Sequence, residues 1–196
     1  MKKYLDIYIV GVGGQGVLTI ADLITQTACK KDMPVNFYPT KGMAQRGGFV
    51  KAQLRIGRTV FAPSIPEMSA DILVSMEQSE ALKAIRYGKE GADYVLYDFR
   101  WEPTAVMLGK GSYPELVVVE EAARKSGIKI HHLDCNKLPE YEGTPVRDNL
   151  YVMGAIAALE PFREFFTPEE ILETITEKWP KVKEANIAAF CAGIKA

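Results

Sequence analysis

Two glycine-bearing stretches hold the residues whose types and spacing could do chemistry. Gly11-Val12-Gly13-Gly14-Gln15-Gly16 has glycines at the spacing of a turn that joins a strand to a helix and cradles phosphate. Gly11 permits a tight turn after the strand, Gly13 lets backbone N–H groups approach an anion, and Gly16 allows close helix–strand packing. The second stretch, Lys41-Gly42-Met43-Ala44-Gln45-Arg46-Gly47-Gly48, sets a guanidinium and a carboxamide among small residues. Arg46 can offer a planar fork to a carboxylate or phosphate, and Gln45 can both donate and accept. Two plainer readings stand beside these: glycines that only pack a turn, and a loop whose arginine is solvated.

The usual companions of a nucleotide site are missing. A dinucleotide-binding unit places a carboxylate at the end of its second strand, but here that strand ends Asn36-Phe37-Tyr38-Pro39 and Asp32 precedes it. No Gly-Lys-Ser/Thr follows the first loop, so it is not a nucleotide-hydrolysing loop. Glu77 and Glu80 share a helical face at a strand-to-helix junction, where an acid/base pair competes with ordinary stabilisation by the helix dipole. His131 and His132 adjoin Asp134 and Cys135, but neighbouring strand residues point to opposite faces and do not readily share a metal ion. No Gly-x-Ser-x-Gly or Ser–His–Asp arrangement supplies a hydrolase nucleophile. Asn149 opens an alanine-rich helix, either within its cap or reaching a ligand or subunit.

The elements that must position these residues follow from periodicity. Residues 5–10 read as a strand, and 17–31 as a helix whose buried face is Val17, Ile20, Ala21, Ile24 and Ala28. Val35 to Tyr38 form a second strand, closed by Pro39. Residues 50–56 alternate apolar and polar, which suggests a half-exposed antiparallel ribbon turning at Gly57-Arg58 into Thr59-Val60-Phe61. Strands at 71–76, 92–97 and 128–133 alternate with helices at 77–87 and 117–126, and 100–115 reads as a surface insertion. The last third is helical, with Thr167-Pro168-Glu169-Glu170 as an N-cap, proline and acidic first turn. The expected fold is α/β: a Rossmann-like, doubly wound, mostly parallel sheet with an antiparallel insertion and C-terminal helices, in one domain over 1–196.

Composition narrows the class. Apolar residues are 47% and charged residues 25%, as in globular chains, and a net charge of −1 gives no basic surplus for nucleic acid or an anionic membrane. Asp6 interrupts the short apolar run near the N-terminus, so neither a signal peptide nor a membrane span is expected, and the chain reads as cytoplasmic. Cys29, Cys135 and Cys191 are far apart, without the spacing of an iron–sulfur or zinc site.

The pair of motifs at 11–16 and 42–48 resembles the small, gamma-type subunit of 2-oxoacid:ferredoxin oxidoreductases, and most of all its indolepyruvate branch. Ile65-Pro66-Glu67, Ala70-Asp71-Ile72-Leu73, Asn149 with Gly154-Ala155, and the tail from Asn186 to Gly193 extend the likeness nearly end to end. The resemblance implies a complex that oxidatively decarboxylates a 2-oxoacid, with coenzyme A as acyl acceptor and ferredoxin as electron acceptor. It implies that thiamine diphosphate and [4Fe–4S] clusters sit on a large partner subunit, that coenzyme A is shared with this chain, and that the chain alone does not turn over. By the same resemblance Gly11, Gly13, Gly14, Gln15, Gly16, Lys41, Arg46 and Gly47 form the cofactor-facing surface, with Gln45 and Arg46 as pocket residues. Pro39-Thr40-Lys41 departs from the indolepyruvate pattern, which leaves pyruvate and branched-chain oxoacids open. An isolated chain would pair with itself through the surface meant for its partner. A stand-alone nucleotide- or flavin-binding protein and a non-catalytic assembly module are the competing functions.

Overall fold

The computed structural model describes residues 4–42, 47–57 and 62–196, with Lys41 described in its backbone only. Gln45, Arg46 and the segment 59–61 therefore lie outside the described residues. In chain order the elements are β1 (Leu5–Val12), α1 (Val17–Lys30), β2 (Val35–Lys41), β3 (Phe49–Ile56), β4 (Ala70–Ser75), α2 (Gln78–Ile85) and β5 (Gly88–Tyr97). They continue with α3 (Thr104–Met107), α4 (Leu116–Lys125), β6 (Lys129–Leu133), β7 (Glu140–Tyr141) and β8 (Thr144–Pro145). The helical end comprises α5 (Asp148–Ala158), α6 (Glu160–Arg163), α7 (Pro168–Lys178) and α8 (Lys183–Ile194).

Six strands form one sheet in the order β2-β3-β1-β4-β5-β6. The β1–β4, β4–β5 and β5–β6 pairings are parallel, whereas β3 runs antiparallel to both β1 and β2. The insertion is thus present, but its partners differ from those expected: β3 forms a hairpin with β2 and wedges between β2 and β1. Pro39 does not close β2, because an edge strand tolerates a residue that lacks an N–H.

Alternation in β1 divides the core between the two faces of the sheet. Leu5, Ile7 and Ile9 pack with α1, α5, α7 and α8, while Tyr8 and Val10 pack with α2 and α4. Helix α1 buries the anticipated face through Val17, Ile20, Ala21, Ile24 and Ala28. The α7 cap goes beyond the expectation, since Thr167 and Glu170 form a reciprocal capping box. Helix α5 is buried from Leu150 to Ala157 between the sheet and α8. Gly154 and Gly193 allow that packing, since a Cβ on either would run into backbone atoms of the facing helix.

The half-exposed character expected of β3 is wrong. Gln53 and Arg55 are 1% and 8% exposed, because each polar side chain meets a polar partner inside the fold. The Gln53 side-chain oxygen accepts from the Ile65 N–H at 2.6 Å. Arg55 donates to both oxygens of buried Asp6 at 3.2 Å, and Asp71 accepts the Asp6 N–H at 2.9 Å. Lys89 pairs with Asp71, so this charged network sits at the end of the sheet opposite the glycine loops.

Candidate functional site

Both glycine stretches rise at the carboxyl edge of β1. The first connects β1 to α1, and the second is the β2–β3 hairpin connection, closed by Gly42 N–H donating to Phe49 O at 2.8 Å. They touch directly. Gly13 N–H donates to Gly48 O at 2.8 Å, and Gly47 N–H donates to Gly13 O at 3.2 Å. This two-bond junction places the glycine end of the second loop on the first.

Individual glycine roles differ from those expected. Gly11 lies within β1 and supplies close packing: a Cβ there would sit 2.8 Å from Val17 Cγ2 and 2.9 Å from Met76 Cβ. Gly16 supplies the left-handed turn (φ 78°) at the N-cap of α1, and its bare Cα receives the Asn149 side chain rather than a strand. Gly14 (φ 105°) stands open at the rim, with nothing within 4 Å of where its Cβ would be. The Gly13 amide, expected to face an anion, is spent on Gly48.

Gln15 is a brace. Its Oε1 accepts from Val12 N–H at 2.9 Å and its Nε2 donates to Met76 O at 2.5 Å, tying the ends of β1 and β4 together. The α1 N-terminus has neither a side-chain cap nor an acidic residue in its first turn among the described residues, so no side chain there offsets the partial positive charge of the helix end. Asn149 Oδ1, buried against this loop, finds no donor among the described residues. The second loop's Lys41 side chain, Gln45 and Arg46 lie outside the described residues, while Gly47 joins the junction.

The sequence did not signal what covers the junction. Residues 98–115 form an arm across the same edge, including α3, none of whose residues is buried. Trp101 lies on Gly47: at φ 69° that glycine has no Cβ, and one built there would be 2.5 Å from the indole Nε1. Glu77, 0% exposed, caps α2 by accepting Glu80 N–H at 2.9 Å. The helix reading of Glu77 therefore holds, and Glu80 pairs with Lys83 at 2.6 Å. Burial raises the Glu80 carboxyl above its ordinary range, and Lys83 opposes that shift.

The histidines separate as strand alternation requires. His131 Nε2 bonds Asp93 at 2.8 Å and His132 Nε2 bonds Asp98 at 2.8 Å. Asp98, Asp134 and Cys135 bring ligand-type atoms within 4.8 Å of one another. Asp98 already accepts the Cys135 N–H at 2.7 Å, and burial with Asp98 alongside pushes the Cys135 thiol up to about 11, away from the thiolate.

The chain as a whole matches a known family. The model of pyruvate ferredoxin/flavodoxin oxidoreductase matches residues 6–196. The chain belongs to that family. It is 35% identical to indolepyruvate oxidoreductase subunit IorB of Thermococcus kodakarensis over 198 aligned residues, covering 100% of this chain and 96% of that one. Its fold matches pyruvate oxidoreductase subunit PORC of Thermotoga maritima with a TM-score of 0.70 at 20% identity, covering 99% and 97% of the two chains. It also matches part of a larger chain, 2-oxoglutarate:ferredoxin oxidoreductase from Magnetococcus marinus, with a TM-score of 0.71 at 18% identity, covering 100% of this chain and 31% of that one. Membership makes this an oxidoreductase-family chain. In a Rossmann unit the second strand pairs directly with the first, whereas here β3 lies between β1 and β2.

Proposed function

We propose that this chain is the small subunit of a complex that oxidatively decarboxylates a 2-oxoacid to an acyl-CoA and passes the electrons to ferredoxin, with indolepyruvate or another aryl pyruvate as the favoured substrate. The observation that carries this reading is the hydrogen-bonded junction of the two glycine loops at the carboxyl edge of the sheet, in a chain related end to end to indolepyruvate oxidoreductase subunits. Such an edge is where ligands of open α/β sheets bind.

The division of labour follows from what the chain offers. Its cysteines sit on three separate segments, Cys29 in α1, Cys135 after β6 and Cys191 in α8, which supports placing the [4Fe–4S] clusters on the large partner subunit. Thiamine diphosphate on that subunit would supply the centre that stabilises the decarboxylation carbanion. This chain's residues would shape the rim: Gly14 leaves the backbone approachable, the α1 N-terminus favours negative charge, and Arg46, the residue before Gly47 in sequence, would receive a carboxylate or phosphate. Coenzyme A is the phosphate-bearing reactant that would share this rim.

One observation favours the assembly-module alternative. The Gly13 amide and both ends of the Gln15 amide are used inside the chain rather than left for a ligand. Reconstitution separates the readings. The chain, its large partner and the mixture are assayed for oxoacid- and coenzyme A-dependent viologen reduction, comparing indolepyruvate, pyruvate and a branched-chain oxoacid. Activity only in the mixture, lost in Arg46→Ala, supports the proposal. Substantial turnover by the isolated chain defeats it, and full activity of the Arg46→Ala complex supports assembly alone.

A further inference from the structure

Glu77 does more than cap a helix. Its fully buried carboxylate receives four donors: Ser79 Oγ at 2.7 Å and Glu80 N–H at 2.9 Å on one oxygen, Trp101 N–H at 3.0 Å and the Tyr113 hydroxyl on the other. Hydrogen bonds of this number compensate a buried charge. The division between the oxygens is informative. One serves α2, while the other holds two residues of the 98–115 arm. Gln78 adds to the hold, its N–H donating to Phe99 O at 2.9 Å and its side chain to Pro114 O at 2.7 Å. The Glu77-Gln78 pair therefore clasps both ends of the arm, and the clasped Trp101 is the residue that lies on Gly47. Arg100 packs over the Tyr113 ring at 4.4 Å and pairs with Glu102 at 2.8 Å, leaving the carboxylate to its four donors.

We infer that Glu77 is a positioning residue, whose buried carboxylate holds the arm so that Trp101 covers the junction of the two glycine loops and fixes the rim against which the complex binds its reactant. The inference rests on the function proposed above, because the rim matters only if a reactant meets it. It requires that loosening the clasp move Trp101 and weaken binding at the rim without removing the chemistry.

The variants are Tyr113→Phe, which removes one donor and leaves the α2 cap, and Glu77→Gln beside Glu77→Ala. Each is made in a Trp179→Phe background, so that Trp101 is the one tryptophan of the two in the chain that still reports. Acrylamide quenching of Trp101 is measured, together with KM and kcat for oxoacid and coenzyme A in the complex. The expected result is greater quenching in Tyr113→Phe and a KM for one reactant raised on the order of tenfold, the equivalent of one hydrogen bond to a charged group, with kcat nearly kept. Glu77→Gln, which retains one acceptor oxygen, should fall between Tyr113→Phe and Glu77→Ala. Unchanged quenching and KM in Tyr113→Phe, with only the melting temperature lowered, would overturn the inference. A wild-type complex without oxoacid-dependent turnover would remove the reading beneath it, and quenching alone would then decide whether the clasp holds Trp101.

Discussion

Replacing Gly47 with alanine tests the contact on which the rim depends. Two costs add at this position. A φ of 69° puts an L-residue in the left-handed region, at roughly 1–2 kcal/mol. The new Cβ would stand 2.5 Å from Trp101 Nε1 and 3.1 Å from Cε2, so the indole must withdraw by about 1 Å to reach ordinary contact near 3.5 Å. Trp101 is anchored through its backbone N–H to Glu77, which leaves its side chain to give way, at about 1–2 kcal/mol for a crowded contact. Gly47→Ala should therefore destabilise the chain by about 2–4 kcal/mol. In a Trp101→Ala background only the backbone cost should remain, about 1–2 kcal/mol. The assay is urea unfolding of all four proteins followed by circular dichroism, with the coupling energy read from the cycle. Equal cost of Gly47→Ala in both backgrounds would show that Trp101 does not rest on Gly47.

Gly193→Ala should cost at least about 1–3 kcal/mol and lower the melting temperature, because its Cβ would meet the Tyr151 carbonyl and the backbone of Ala155, which cannot rotate away. Arg55→Met should cost about 3–5 kcal/mol in urea unfolding by leaving Asp6 buried without its guanidinium, and Asp6→Leu added to it should recover most of the loss. In pH-dependent alkylation, exposed Cys29 should react first, and Cys135 should approach half-maximal reactivity only near its raised value of about 11. Labelling of Cys135 ahead of Cys29 at pH 8 would contradict the burial assigned to it.

Much of the fold was legible because local signals agree with one another. The strand, glycine turn and helix at 5–30 and the N-cap, proline and acidic first turn from Thr167 are short-range patterns, and each appears where the residues imply. β3 was misread for a physical reason. Lys51, Gln53 and Arg55 alternate as a solvated strand would, and the groups that bury two of them, Asp6 and the Ile65 N–H, lie 49 and 12 residues away. The glycine roles could not be apportioned either. Whether Gly11 or Gly16 makes the close approach depends on Met76 and Asn149, neither of them a neighbour in sequence. Glu77 was legible as belonging to the start of a helix, where it proves to be the cap, but its hold on Trp101 and Tyr113 spans 24 and 36 residues. Meeting of the two loops was foreseeable in kind: a loop that follows a strand parallel to β1 must rise at the same edge.

The most direct test of a shared rim is hydrogen–deuterium exchange of this chain with and without its large partner. Peptides covering 11–16, 42–48 and 98–115 should gain protection together on complex formation, since they meet at one edge of the sheet. Protection confined to the opposite end, around Asp6, Asp71 and Lys89, with those three segments unchanged, would contradict it.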